Sequence, residues 1–273
     1  MATLRITIDL FSGRPNPLLT LSGKQARTAL ALLKSAGKRE VKPLPTSTLG
    51  YRGLIIEQVD KRDAQPQRSV DPELETLIMG HASLRTRDDL PTRFPKLLRH
   101  EIDRFHDLHE HWRHRRHHWP TRHHCHCAPL YEPAWWNDAG QKQWNNNCYN
   151  YGCNTRTDTF AQPGLAAGAE YTQLSCASVR PAAIADALIA KPLANNKCPG
   201  EGHLVALVIA PGIDFHWYRK GRNGYWTHKP GPTAVTNVDN SNHLIPDPRT
   251  ANRGMYTQFC TFMVVMHGHV KIR

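Results

Sequence analysis

At 273 residues, with 40% hydrophobic content and a formal charge of +12 with its 17 histidines neutral, the chain has room for two domains and enough apolar residues for packed cores, which excludes wholesale disorder. Its basic excess predicts attraction to anionic partners such as nucleic acid, anionic lipid or an anionic polymer, or a basic protein with no such partner. No apolar run approaches the ~20 residues of a membrane helix and Met1–Leu10 lacks the apolar stretch of a signal peptide, so no transmembrane segment is expected; the default setting is cytoplasmic, with export by a dedicated route left open.

Leu4, Ile6, Ile8 and Leu10 alternate with polar residues, which predicts a strand with one buried face. Ser12-Gly13-Arg14-Pro15-Asn16-Pro17 reads as a turn. Ser22 caps a helix that buries Ala26, Ala29, Leu30 and Leu33 and ends at Gly37. Tyr51–Ile56 reads as a second strand, and Asp71-Pro72-Glu73 opens a short helix with Asp as cap and Pro in the first turn. Residues 1–95 thus form a small α/β module, an accessory or binding domain without a catalytic set. From Lys96 to about Trp119, Leu98, Ile102, Phe105 and Trp112 recur at helical spacing. Beyond residue 127 the pattern is mixed: a helix from Ser178, then strands at Leu204–Ile209, Phe215–Tyr218, Tyr225–Thr227 and Phe259–Met266. Gly221-Arg222-Asn223-Gly224 is expected to turn a hairpin.

Ten of the 17 histidines fall between His100 and His126. On a helix, His100, Asp103, Asp107, His111, His114 and His118 share a face opposite the apolar stripe, and imidazoles one turn apart chelate borderline metals. The adjoining His123, His124, Cys125, His126 and Cys127 add thiolates, which favour zinc or copper(I). Arg113, Arg115, Arg116 and Arg122 oppose a cation there, so a solvated linker is the plain alternative, and an acid-charged arm is a third. Residues 96–127 are therefore expected to be a histidine-rich helix and metal-prone linker.

Seven cysteines make an odd count: thiols, ligands or a nucleophile in a reducing compartment, up to three bridges in an oxidising one. Cys176 with Cys198, or Cys148 with Cys153, are candidate pairs. A thiol nucleophile needs a base, an orienter for that base and donors for an oxyanion. Cys148 lies in a polar turn, Asn145–Tyr151, that opens a helix, where free N–H groups lower a thiol pKa and face an oxyanion. His203 heads the apolar run Leu204–Ile209, and His216 stands on the next strand. Cys153 is a rival nucleophile; His216 as base with Asn237, Asp239 or Asn240 is a rival arrangement. Tyr, Trp and Arg interleaved through Trp217–Trp226 are a candidate stacking surface for bases or sugar rings.

A cysteine at a helix start, a Gly-His head on an apolar strand and a polar residue on the following strand resemble the papain-like cell-wall peptidases, the NlpC superfamily and the related CHAP amidases. The resemblance covers residues 128–273. It implies a papain-like α+β domain with Cys148 as nucleophile, His203 as general base and His216 as its orienter, hydrolysing amide bonds in peptides or cell-wall peptide without a cofactor. Tyr149 and Asn150 depart from the small residues usual after that nucleophile. The stretch from His216 to Asn240 is also similar to poorly characterised proteins, some labelled insoluble shell-matrix proteins, which keeps open a non-enzymatic reading: a transition-metal-binding or matrix protein using the segment His100–Cys127. A basic polyanion or nucleic-acid binder is the third reading.

Overall fold

A computed structural model describes residues 2–36, 47–60, 65–84, 86–111, 125–191 and 196–273. They fall into two compact units: Met1–Leu10, Asn16–Pro45 and Gly50–His111 in the first, Phe11–Pro15, Thr46–Leu49 and Trp112–Arg273 in the second. The fold is α+β. The compact division near His111, and the two short pieces that join the second unit, are features the linear boundaries at 95 and 127 do not express.

In the first unit β1 (Thr3–Ile8) pairs antiparallel with β2 (Leu18–Ser22) and with β3 (Leu54–Gln58), and β3 pairs with β4 (Gln67–Ser69). The alternation read in β1 holds: Leu4, Ile6 and Ile8 are all buried. Strand β2 occupies residues left without an element between the expected turn and the expected helix, because the turn after Leu10 is followed by a return strand that completes the β1 ladder. Helix α1 (Gly23–Ala36) buries Ala26 and Ala29. Helix α2 (Pro72–Met79) starts as expected, with the Asp71 carboxylate accepting from the N–H groups of Glu73 and Leu74 at 3.1 Å. Helix α3 (Phe94–His111) buries Phe94, Leu98, Ile102 and Phe105. The part of the predicted helix beyond His111 lies outside the described residues.

In the second unit three short helices, α4 (Pro133–Trp136), α5 (Gln141–Asn145) and α6 (Cys148–Gly152), precede α7 (Cys176–Ala185). Five strands follow: β5 (Ile189–Lys191), β6 (His203–Ala210), β7 (Asp214–Lys220), β8 (Trp226–His228) and β9 (Gln258–Val265). They form one antiparallel sheet in the order β5-β9-β6-β7-β8. Every residue of β6 and β7 is buried, so both faces of the sheet are covered. One face carries Val205, Leu207, Ile209, Phe215 and Trp217 against Tyr149 of α6 and Val179 and Ala183 of α7. The opposite face carries His216, Tyr218 and His228, whose rings pack together. Gly152 lets α6 lie close on β7, since a Cβ there would stand 3.2 Å from that of Trp217. Ser178 does not cap α7. Ser175 precedes the helix, and the Ser178 hydroxyl accepts from Thr172 and Gln173 N–H.

Disulfides join Cys125 to Cys198 and Cys176 to Cys260, leaving Cys127, Cys148 and Cys153 as thiols. The expected Cys176–Cys198 pair is thus corrected: β9 brings Cys260 up to the start of α7. Cys148 and Cys153 remain separate at the two ends of α6.

Candidate functional site

The polar turn before Cys148 does open a helix. Asn147 is its cap, accepting from the N–H groups of Tyr149 and Asn150, while the Asn150 side chain accepts from Asn147 N–H. Cys148 is the first helical residue and is fully buried. Burial, then the negative charge of Asp214, push its thiol well above the usual cysteine range, and together they outweigh the Trp217 N–H and the Lys229 ammonium, which favour a thiolate. The resting thiol is therefore neutral.

The thiol lies 3.9 Å from the carbonyl oxygen of Phe215 and also meets the Trp217 N–H. Those two peptide groups flank His216. They lie on a stretch of β7 that β8 leaves uncovered, because the β7–β8 ladder runs only over Tyr218–Lys220. Cys148 is thus placed against the main chain of His216.

His216 Nε2 is 2.9 Å from His228 Nδ1, and His228 Nε2 is 3.0 Å from the carbonyl oxygen of Val238. A carbonyl only accepts, so His228 carries its proton on Nε2 and accepts on Nδ1. His216 then donates from Nε2, and in its neutral form the basic nitrogen is Nδ1. Burial holds His228 neutral, its pKa pushed down to about 4 against the weaker opposing pull of the Val238 carbonyl and Asp239.

His203 stands apart from this pair. Its Nε2 donates to the Gly152 carbonyl at 2.7 Å, at the far end of α6 from Cys148. Burial drives its pKa down to about 3. Of the three residues expected to act together, Cys148 lies against the main chain of His216, His203 is elsewhere, and the place beside the His216 ring belongs to His228. The signal for His228 was present but unassigned: a hairpin centred on Gly221–Gly224 pairs Tyr218 with His228, which puts the latter on the face of His216. The rival orienters have other work. Asp239 accepts from the N–H groups of Ser241, His243 and Asn252, and the Asn240 amide exchanges two hydrogen bonds with the backbone of Leu49. Cys153, the rival nucleophile, is buried, with burial and then Asp186 raising its pKa.

Lys229 fixes the entry to α6. Its ammonium is fully buried and donates to the carbonyls of Gln143, Asn146 and Gly231 at 2.5–2.6 Å. Three carbonyl acceptors replace the water shell of the buried ammonium, which offsets the cost of taking its charge out of water.

The stability of this unit should fall in acid. His228 has a folded pKa below its unfolded value of about 6.5, so between pH 6.5 and about 4 the unfolded chain binds a proton that the fold refuses. His228 by itself accounts for a loss on the order of 3 kcal/mol across that window and none below it, while His203, with a folded pKa of about 3, adds a loss that continues to that lower pH. Urea melts at pH 7 and pH 4 test this: His228→Gln should lose less than the parent between the two. An equal loss in both would remove His228 as the cause.

The expected metal face is not assembled among the described residues, where no group of three or more His, Cys, Asp or Glu side chains stands close enough to hold an ion. His100, Asp103 and Asp107 are exposed on α3. The His111 side chain and His114, His118, His123 and His124 lie outside the described residues. Cys125 is corrected as a ligand, because a cystine sulfur has no thiolate to offer. His126 is exposed, and the exposed Cys127 donates its thiol to Gly200 O at 3.2 Å. The stacking surface expected at Trp217–Trp226 is also corrected, since both indoles are fully buried; among the described residues the exposed tryptophans are Trp135 and Trp144.

Over 142 residues the chain is 44% identical to insoluble matrix shell protein 1 of Ruditapes philippinarum, a match that takes in 51% of this chain and 91% of that protein. No family model matches the chain, and no solved structure does. None of the described helices is long and apolar enough to cross a membrane.

Proposed function

Because this chain belongs to the family of insoluble matrix shell protein 1, we propose that it is a matrix-associated protein whose second unit carries a thiol acyl-transfer site made of Cys148, His216 and His228. The matrix assignment is supported by the relative's name and by two disulfides, which persist in oxidising compartments and favour export over a cytoplasmic life. The basic field of +12 gives it a means of retention on an anionic polymer.

The chemical assignment is carried by one observation: the Cys148 thiol lies on the main chain of His216, whose ring is oriented by His228. A helix-borne cysteine followed by histidines on later strands keeps the order of the papain-like resemblance, with the base moved from His203 to His216 and the orienter from His216 to His228. In the proposed reaction the Cys148 sulfur bonds to an amide carbonyl carbon as His216 Nδ1 takes the thiol proton. The His216 imidazolium then returns that proton to the leaving nitrogen as the C–N bond breaks, leaving a thioester. Water, deprotonated by the same nitrogen, releases the acid and restores the thiol. His228 keeps its proton throughout and holds the ring. The Cys148 N–H is the nearest donor for the oxyanion. No metal or cofactor enters. The substrate class is an amide in a peptide or cell-wall peptide.

Prolonged incubation with a peptide bearing a thiol-reactive carbonyl should attach one probe at Cys148, mapped by mass spectrometry apart from any label on the exposed Cys127. His216→Gln should slow that addition by about 10³-fold or more, and Cys148→Ala should abolish amide turnover while leaving the melting transition in place. Turnover that survives Cys148→Ala would end the acyl-transfer reading and leave a matrix protein without chemistry.

A further inference from the structure

We infer that Phe11–Pro15 is an inhibitory strap that occupies the substrate's place at Cys148, so that the site works only in the fraction of molecules whose strap is displaced; the inference rests on the acyl-transfer reading above. These residues come from the N-terminal third of the chain yet are part of the second unit, while Leu10 and Asn16 on either side belong to the first. The Ser12 carbonyl accepts from Cys148 N–H at 3.4 Å. That N–H is the donor an oxyanion needs, and here a peptide carbonyl of the chain itself has taken it. The other first-turn donors, Tyr149 and Asn150 N–H, are held by Asn147.

The strap is held by its main chain. The N–H groups of Ser12, Gly13 and Arg14 converge on the buried Asp214 carboxylate at 2.5, 3.2 and 3.1 Å, and Tyr256 donates its hydroxyl to the same group at 2.5 Å. The Gly13 carbonyl accepts from Asn147 Nδ2 at 2.6 Å and Gln162 Nε2 at 2.9 Å. The Phe215 ring lies where a side chain on Gly13 would begin. A cleft that binds backbone groups on both sides of one carbonyl, and leaves no room for a Cβ on the next residue, reads a peptide with glycine after the acyl residue. Ser12-Gly13 meets that description without being cut, because the same contacts that seat it hold it in place.

Thiol labelling of the full chain tests this. Asp214→Asn removes the charge that gathers the three N–H groups, and Gly13→Val drives the strap off Phe215. Iodoacetamide near pH 7.5, with sites mapped by mass spectrometry, should modify Cys148 at least ~10-fold faster in both variants than in the parent. Cys153, buried at the other end of α6, is the internal reference and should not change. If Cys148 stays as slow as in the parent, or if Cys148 and Cys153 speed up together, the strap inference fails, since the second result means general loosening. A variant that frees Cys148 selectively but leaves a glycine-containing peptide amide uncut would keep the strap and end the acyl-transfer reading.

Discussion

Loss of either disulfide should destabilise the second unit by about 4 kcal/mol. The bridges close segments separated by 73 and 84 residues, and loop-closure entropy for loops of that size comes to roughly that value. A domain is typically stable by only about 5–15 kcal/mol, so one bridge is a large share. The two loops interlace, because Cys176 lies inside the Cys125–Cys198 segment and Cys260 outside it. Opening the first already frees part of the second, and the two losses should not add. Urea midpoints of Cys125→Ser and Cys176→Ser, with and without reductant, check this. Reductant should lower the parent to near the variants and leave the variants less affected; a parent indifferent to reductant would mean that the bridges do not constrain the unfolded chain. The same protein should show one fast-titrating thiol, Cys127, when native, and three when unfolded without reductant.

Arg52→Met should cost the first unit about 3–5 kcal/mol near neutral pH. Arg52 and Asp9 are both fully buried, with the guanidinium Nη2 2.6 Å from Asp9 Oδ1 and Arg68 2.8 Å from Oδ2. Burial by itself would raise the Asp9 pKa. The charges and hydrogen bonds of Arg52 and Arg68 together overcome it and hold the carboxyl below its ordinary value. A lowered folded pKa stabilises above the unfolded value, about 3.9, and that stabilisation disappears as pH falls through the folded one. Without Arg52 the carboxylate keeps most of its desolvation cost with Arg68 as its one remaining charged partner beside the Asn16 amide, and it relieves that cost by taking up a proton. The gap between Arg52→Met and parent should therefore narrow below about pH 4. Denaturant melts at pH 7 and pH 3.5 measure it; a gap as wide at pH 3.5 would place the loss in packing around Arg52 and not in its charge.

Several elements were legible residue by residue. The alternation of Leu4, Ile6 and Ile8, the Asp71-Pro72 helix start, the apolar run of β6 and the hairpin at Gly221–Gly224 are local patterns whose physics lies within a few residues. Cys148 at a helix start was legible for the same reason. Strand β2 was not: it follows a proline-rich turn, and its place is set by a ladder with β1.

The residue types, the spacing of Cys148, His216 and His228, and the excess of positive charge were determined by the sequence itself. Which of these groups meet was decided by tertiary structure. Two-residue periodicity puts His216 and His228 on one face, but only the β6–β7–β8 register with α6 laid on β7 seats the thiol beside His216 and leaves His203 on Gly152. Burial likewise reversed the effect expected of a helix start on the Cys148 thiol, because desolvation depends on everything packed around a group. Cystine pairing, and the arrival of Ser12 at a helix more than a hundred residues later, also depend on contacts between distant segments, and such contacts leave no periodic trace in the chain.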